Sequence, residues 1–374
     1  MEKRVFYSKI IYSSGYVMTT IFGYVLSLQG GAIVSNLPII STYCNENCFN
    51  YLSVYRASFA LVVYHSILCL CLLGCGSDVY HPRAFIMTQV WPFKFVGWII
   101  CFFGSFFIPS SFYLKYWIVT IAVSVLFILI QLLLLVDFAC DVADSWISKY
   151  NDSFNQDSSG KYKALLISCS SLSYLLTALM IAVLLCYYAS CQVNQAVISM
   201  NILLVIVITA CSIIPKFQKN NPRFGLLQAS FISLYGTYLL ASALAANDDG
   251  SCSALVASSN TSLDVSMKYV GLCFTFLSLG YSAFSTGSSQ ISGQDDKKVS
   301  FSFFHFIFVL AAFYCAGLLT QWTEVEMSSV GGFAFQKGQT SYWIKIASSF
   351  ASFLLYLWIL VAPTLMPDRF DLAN

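Results

Sequence analysis

The stretch FILIQLLLLVDFACDVADSWISKY, Phe127 to Tyr150, decides how the chain is read. A run of aliphatic residues leads into Asp137, Asp141 and Asp144, with Trp146, Lys149 and Tyr150 behind them. Spacings of four and three residues put the three carboxylates on one face of a helix that is otherwise apolar enough for hydrocarbon. The whole chain has that character. Of its 374 residues 58% are hydrophobic and 10% charged, with a mean hydropathy of +0.74. A soluble domain needs about 25% charged residues to cover its surface, so this is an integral membrane protein. A net charge of +2 suggests no nucleic acid or other strongly charged macromolecule as partner.

Working outward, apolar runs long enough to span a core of about 30 Å fall at 10–35, 52–74, 87–108, 112–150, 162–189, 193–214, 224–246, 267–288, 300–321 and 340–366. The expected fold is all-α, with about ten transmembrane helices in one polytopic domain over 1–374. Exofacial loops are expected at 36–51 and 247–266, and a short cytosolic loop at 289–299. The quoted stretch ends a fourth span about twice as long as a simple crossing, so this helix must tilt strongly or project beyond the membrane.

Short loops on one side of the ten-span map hold thirteen lysines and arginines, and those on the other side only Lys115, Lys268 and Lys337. Positive residues favour the cytosol, so both termini are placed there. The sequon Asn260-Thr261-Ser262 then lies on the exofacial side, where glycosylation occurs. Cys44, Cys48, Cys191 and Cys252 fall on that side too and are candidates for disulfides; four cysteines allow three pairings.

No HExxH, phosphate-cradling glycine loop or GxSxG occurs, and the three histidines have no metal spacing. The expectation is a protein that is not an enzyme, with no cofactor and no metal. What remains is ionisable groups at membrane depth, which are costly there and mark function by default. Lys94, about eight residues into the third span, and Asp137 in the antiparallel fourth lie at similar depth and are expected to pair. The pair fixes helix packing on one reading and lines a path for head groups or ions on the other. Ser168, Ser171, His305 and Ser349 are candidates for a polar lining, although small residues in spans more often let helices approach closely. His305 is expected at the interface, and Arg56, near the end of the second span, is expected to snorkel.

Several stretches together resemble one family. VYRASFA (54–60), DVYHPRAFIMTQVWPFKF (78–95), FILIQLLLLVDFACDVADSW (127–146), GLLQASFISLYGTYLLASAL (225–244), SFSFFHFIFVLAAFY (300–314) and WIKIASSFASFLLYLWILVAPTLM (343–366) are similar, in order, to the serine incorporators of eukaryotic membranes. The cysteine-rich segment that members carry before the first span is not found, and the loop SSQISGQDDKKV (288–299) is short. Regulation that depends on either is not expected.

The resemblance implies two helical bundles separated by a long tilted fourth helix that crosses the eighth. It also implies ATP-independent scrambling of phospholipids between leaflets, which would affect phosphatidylserine distribution. A non-catalytic scaffold assisting serine incorporation into phosphatidylserine and sphingolipids is the alternative, and a coupled solute transporter comes third. Expected partners are membrane phospholipids, with sterol, a second copy of the chain and lipid-synthesis enzymes as further candidates, in the plasma membrane or an endomembrane.

Overall fold

The computed structural model describes residues 2–34, 46–76, 81–152, 159–220, 224–245, 252, 262–284, 300–320, 322–327, 333–337 and 339–366. Its elements run α1 (Glu2–Val34), α2 (Glu46–Cys71), α3 (Ala84–Thr88), α4 (Trp91–Phe106), α5 (Ser110–Asp152), α6 (Ser159–Tyr188), α7 (Gln192–Ile213), α8 (Pro215–Asn220), α9 (Leu226–Ala245), α10 (Ser262–Phe284), α11 (Phe301–Leu319), β1 (Thr323–Met327), β2 (Phe333–Lys337) and α12 (Gln339–Leu365). Each of the ten apolar runs is helical over most of its length. Among the described residues eight helices are long and apolar enough to cross a membrane, and α4 and the Tyr269–Tyr281 part of α10 are shorter apolar helices. The protein is an all-α integral membrane protein, with one antiparallel hairpin that the hydropathy pattern does not foresee. In that hairpin Thr323 pairs with Lys337 and Met327 with Phe333.

The chain forms two compact units. The first comprises residues 1–130, 268–291 and 295–341; the second comprises 131–267, 292–294 and 342–374. Helix α5, 43 residues and roughly 65 Å long at about 1.5 Å per residue, contributes to both.

Each unit is built around one helix that its neighbours enclose. In the first this is α11, 83% of whose spanning window is buried. Its Phe313, Ala316 and Leu319 pack with Leu52, Val54 and Tyr55 of α2 and Tyr113 and Tyr116 of α5. Ser58 holds the three helices together, bonding the Tyr116 hydroxyl at 3.0 Å and donating to the Ala312 carbonyl at 2.8 Å. In the second unit α9 is the enclosed helix, also 83% buried, against 22% for α6 and 28% for α7. The sequence explains this. Lipid is as apolar as leucine, so helices associate in it through close packing and interhelical hydrogen bonds. Helix α9 carries Ser230, Ser233, Gly236, Thr237 and Ser242, all buried. A Cβ on Gly236 would run into the ring of Phe353, so only glycine permits that approach of α12. At the same level Ser349 donates to the Gly236 carbonyl at 2.7 Å. The outer helices present leucine, isoleucine and phenylalanine instead, such as Leu172, Leu175 and Leu179 on α6, which suits a surface facing hydrocarbon.

The hydroxyls along the spans are mostly satisfied within their own helix. Thr20 donates to Tyr16 O at 2.9 Å, Ser124 to Thr120 O at 2.6 Å and Ser352 to Ser348 O at 2.8 Å. A serine that bonds the carbonyl one turn back hides its polarity. A serine-rich span therefore need not be a polar path.

Candidate functional site

The first unit holds a cleft of about 300 Å³ between α1, α2 and α4, lined by Tyr12, Tyr16, Tyr64, His65, Trp91, Lys94 and Trp98 among apolar residues. Its floor is set by an interruption in the chain. The run 87–108 is not one helix, because α3 stops at Thr88 and Val90 takes a left-handed conformation with φ of 58°. Left-handed backbone is unfavourable for a β-branched residue. Pro92 then sits in the first turn of α4, where its missing N–H does no harm. Lys94 therefore lies in the first turn of a 16-residue helix rather than eight residues into a longer one. Its ammonium turns back across the break and donates to Met87 O at 3.1 Å. This carbonyl belongs to the last turn of α3, which has no helical partner for it and favours a cation.

The same ammonium lies 4.0 Å from the ring centroid of Trp91 and 5.1 Å from that of Tyr12. Cation–π contacts of this kind offset part of the cost of a desolvated charge. Lys94 is only 7% exposed. The hydroxyl of Tyr12, a residue 4% exposed whose ring faces the ammonium, has no hydrogen-bond partner among the described residues. Trp98, by contrast, donates to Thr19 Oγ1 at 3.2 Å and so ties α4 to α1.

Behind the cleft His65 of α2 and His305 of α11 meet with their Nδ1 atoms 3.0 Å apart. One of these nitrogens must carry a proton and the other a lone pair. His305, expected near the membrane interface, is instead fully buried on the enclosed helix α11, with its ring edge-on to Tyr12 at 4.7 Å. Arg56 likewise does not reach an aqueous surface. It is 1% exposed, donates to Ile108 O at 3.3 Å and lies 5.1 Å from the Tyr113 ring.

A second cleft of about 310 Å³ lies in the second unit between α5, α6 and α9, lined by Asp144, Ser170, Ser171, Tyr174 and Gln228 with apolar neighbours. Its longer polar side chains are engaged. Tyr174 shares a hydrogen bond with Thr209 at 2.9 Å. Gln228 accepts from Gly225 N at 2.9 Å and donates to Cys140 Sγ at 3.6 Å.

The remaining sequence candidates distribute as follows. Asp137 is buried in the second unit and Lys94 in the first. Ser168 is exposed and donates to Leu165 O at 3.2 Å, whereas Ser171 lines the second cleft. Ser349 joins α12 to α9. Cys191 and Cys252 form a disulfide. It closes a loop that Asn194 also secures, donating to Tyr188 O at 3.0 Å and Cys252 O at 3.4 Å while accepting from Tyr342 at 2.9 Å. Asn260, Cys44, the side chain of Cys48 and the loop 289–299 lie outside the described residues. Among the described residues no group of three or more His, Cys, Asp or Glu gathers to hold a metal ion. Tyr12, Tyr64 and His65 carry no signal in one dimension, because only the packing of α1, α2 and α4 brings them beside Lys94.

Comparison with known proteins gives this architecture a context. The family described as Serine incorporator (Serinc) matches residues 2–300 and 290–369. A probable serine incorporator of Dictyostelium discoideum is 31% identical over 97% of this chain and 94% of its own length. Serine incorporator 3 of Bos taurus is 31% identical over 85% of this chain and 80% of its own. A probable serine incorporator of Nematostella vectensis is 30% identical over 90% and 84%. A polytopic helical chain matched from end to end in this way belongs to the serine incorporator family.

Proposed function

We propose that the protein moves phospholipids between the leaflets of its membrane without ATP, and so affects phosphatidylserine distribution. The observation that carries this reading is the cleft between α1, α2 and α4. It is apolar over most of its wall, and its lining includes a buried ammonium and Tyr12, whose hydroxyl has no hydrogen-bond partner among the described residues. A lipid head group pays for leaving water, and polar groups placed along an otherwise apolar wall lower that barrier. The protein acts as a passive path and not as an enzyme. Its partners are membrane phospholipids, with sterol, a second copy of the chain and lipid-synthesis enzymes as further candidates. Both termini face the cytosol, in the plasma membrane or an endomembrane.

The test is reconstitution of the purified chain in liposomes holding a fluorescent phospholipid, followed by a membrane-impermeant quencher. Loss of the inner-leaflet signal without ATP is expected. Retention of that signal would instead favour a non-catalytic scaffold for serine incorporation into phosphatidylserine and sphingolipids. Orientation is tested separately. Glycosidase is expected to shift the mobility of the wild type and not of Asn260→Gln; a shift that depends instead on the second sequon, Asn151-Asp152-Ser153, which the same map puts on the cytosolic side, would invert the topology.

A further inference from the structure

We infer that the cleft between α1, α2 and α4 is a binding site for a lipid-borne phosphate, recognised by the Lys94 ammonium and the Tyr12 hydroxyl. The inference rests on the reading that lipid enters this cleft, and it names the group on the lipid that is held.

The charge distribution excludes a cationic ligand. Helices α1, α2, α3, α4 and α11 contain two acids, Glu2 and Glu46, each the first residue of its helix. Among the described residues the cleft lining holds Lys94 and no carboxylate. An ammonium head group or a metal ion would meet a positive charge with nothing to offset it, whereas an anion would supply the missing counter-charge.

The donors have capacity to spare. An ammonium carries three N–H bonds, and Lys94 has one directed at Met87 O. Tyr12 adds an O–H that no group among the described residues accepts, at a residue 4% exposed. A buried hydroxyl left unpaired is costly, and an oxyanion beside it would remove that cost. The remaining walls select how the anion arrives. Ile11, Met18 and Phe95 line the cleft, and Met18 and Phe95 are also exposed on the outer surface. An anion carried on acyl chains can approach along such a wall. The phosphodiester is the anion common to glycerophospholipids and phosphosphingolipids, so a site of this kind does not depend on what lies beyond the phosphate.

The test measures equilibrium binding and not transport. The purified full chain in detergent is titrated with phosphatidylcholine, diacylglycerol or oleate, and bound lipid is counted by native mass spectrometry. Phosphatidylcholine is expected to bind at least roughly tenfold tighter than the other two, a difference on the scale of a charge-assisted hydrogen bond. Tyr12→Phe is expected to weaken phosphatidylcholine roughly fivefold, and Lys94→Met roughly tenfold or more. Because Tyr12→Phe removes only an oxygen that bonds nothing among the described residues, folding is not at stake in it. Equal retention of diacylglycerol, preference for the oleate carboxylate, or full affinity in Tyr12→Phe would each overturn the site. Displacement by inorganic phosphate would support the oxyanion site and make free phosphate its ligand; resistance to it keeps the ligand lipid-borne. If phosphate-dependent binding holds but the liposomes show no leaflet exchange, the site stands and the transport reading falls. Leaflet exchange without such binding would overturn the site and leave the transport reading standing.

Discussion

The two clefts have nearly the same volume, about 300 Å³ in the first unit and about 310 Å³ in the second. Size therefore says nothing about which is used. What separates them is how far their polar groups are committed. In the second cleft Tyr174 and Gln228 are bound to Thr209, Gly225 and Cys140. In the first, Lys94 has donors to spare and the Tyr12 hydroxyl has no partner among the described residues. Polar groups that hold a unit together should cost stability when removed, while groups left unengaged should cost function alone.

The largest expected effect is on transport. Lys94→Glu reverses the sign of the first cleft and is expected to slow lipid exchange in liposomes at least roughly tenfold, since a buried like charge repels an anionic head group. Asp144→Lys in the second cleft is expected to leave the rate within about twofold. Equal losses in both would end the distinction.

Stability comes next, and the second unit is where it should show. Replacing Cys191 and Cys252 by serine opens a link between residues 61 apart and is expected to cost about 3 kcal/mol, read as a fall in Tm. Asn194→Leu removes bonds to Tyr188, Cys252 and Tyr342 and is expected to cost about 2 kcal/mol. Combining it with the cysteine replacements should give less than the sum, because Asn194 and the disulfide hold the same loop. Strict additivity would show that they act separately.

The smallest effects come from removing one tyrosine hydroxyl in each cleft. Tyr174→Phe loses the bond to Thr209 and is expected to cost about 1 kcal/mol. Tyr12→Phe, the same chemical change in the first cleft, is expected to leave Tm unaltered or to raise it slightly, since it removes a buried hydroxyl without a partner among the described residues. A matching loss in both would mean that Tyr12 is structural after all.

How much of this can be read in the sequence follows from the range of the interactions involved. The apolar helices are legible because each span needs its own apolar length, and the extent of α5 shows in the long run 112–150. The hairpin is not. Thr323–Met327 and Phe333–Lys337 are five residues each, and a period of two over so short a run is a weak signal. The third span misleads for a local reason: the apolar composition runs through Val90, but its left-handed backbone breaks the helix there. Lys94 stands out in the sequence as a membrane charge, yet Trp91, Tyr12 and Met87 surround it through packing that no spacing rule encodes. The His65–His305 contact joins positions 240 apart. Ser349 is visible as a polar residue, and only the approach of α12 to Gly236 shows that it ties two helices.

The enclosed helix α9 has a consequence for how the protein is made. Gln228, Ser230, Ser233, Thr237 and Ser242 lie along it, and each lowers its tendency to leave the translocon for lipid unaided. Its neighbours α6 and α7 precede it in the chain and are the apolar, outward-facing members of the unit. They enter the bilayer first and offer α9 a protein surface on which to rest. Helix α12 is synthesised last, and it supplies Ser349 to the Gly236 carbonyl and Lys345 to Ser242. Until it arrives that face of α9 lacks those partners, so a nascent chain stalled before residue 339 should be the form that membrane quality control recognises and removes.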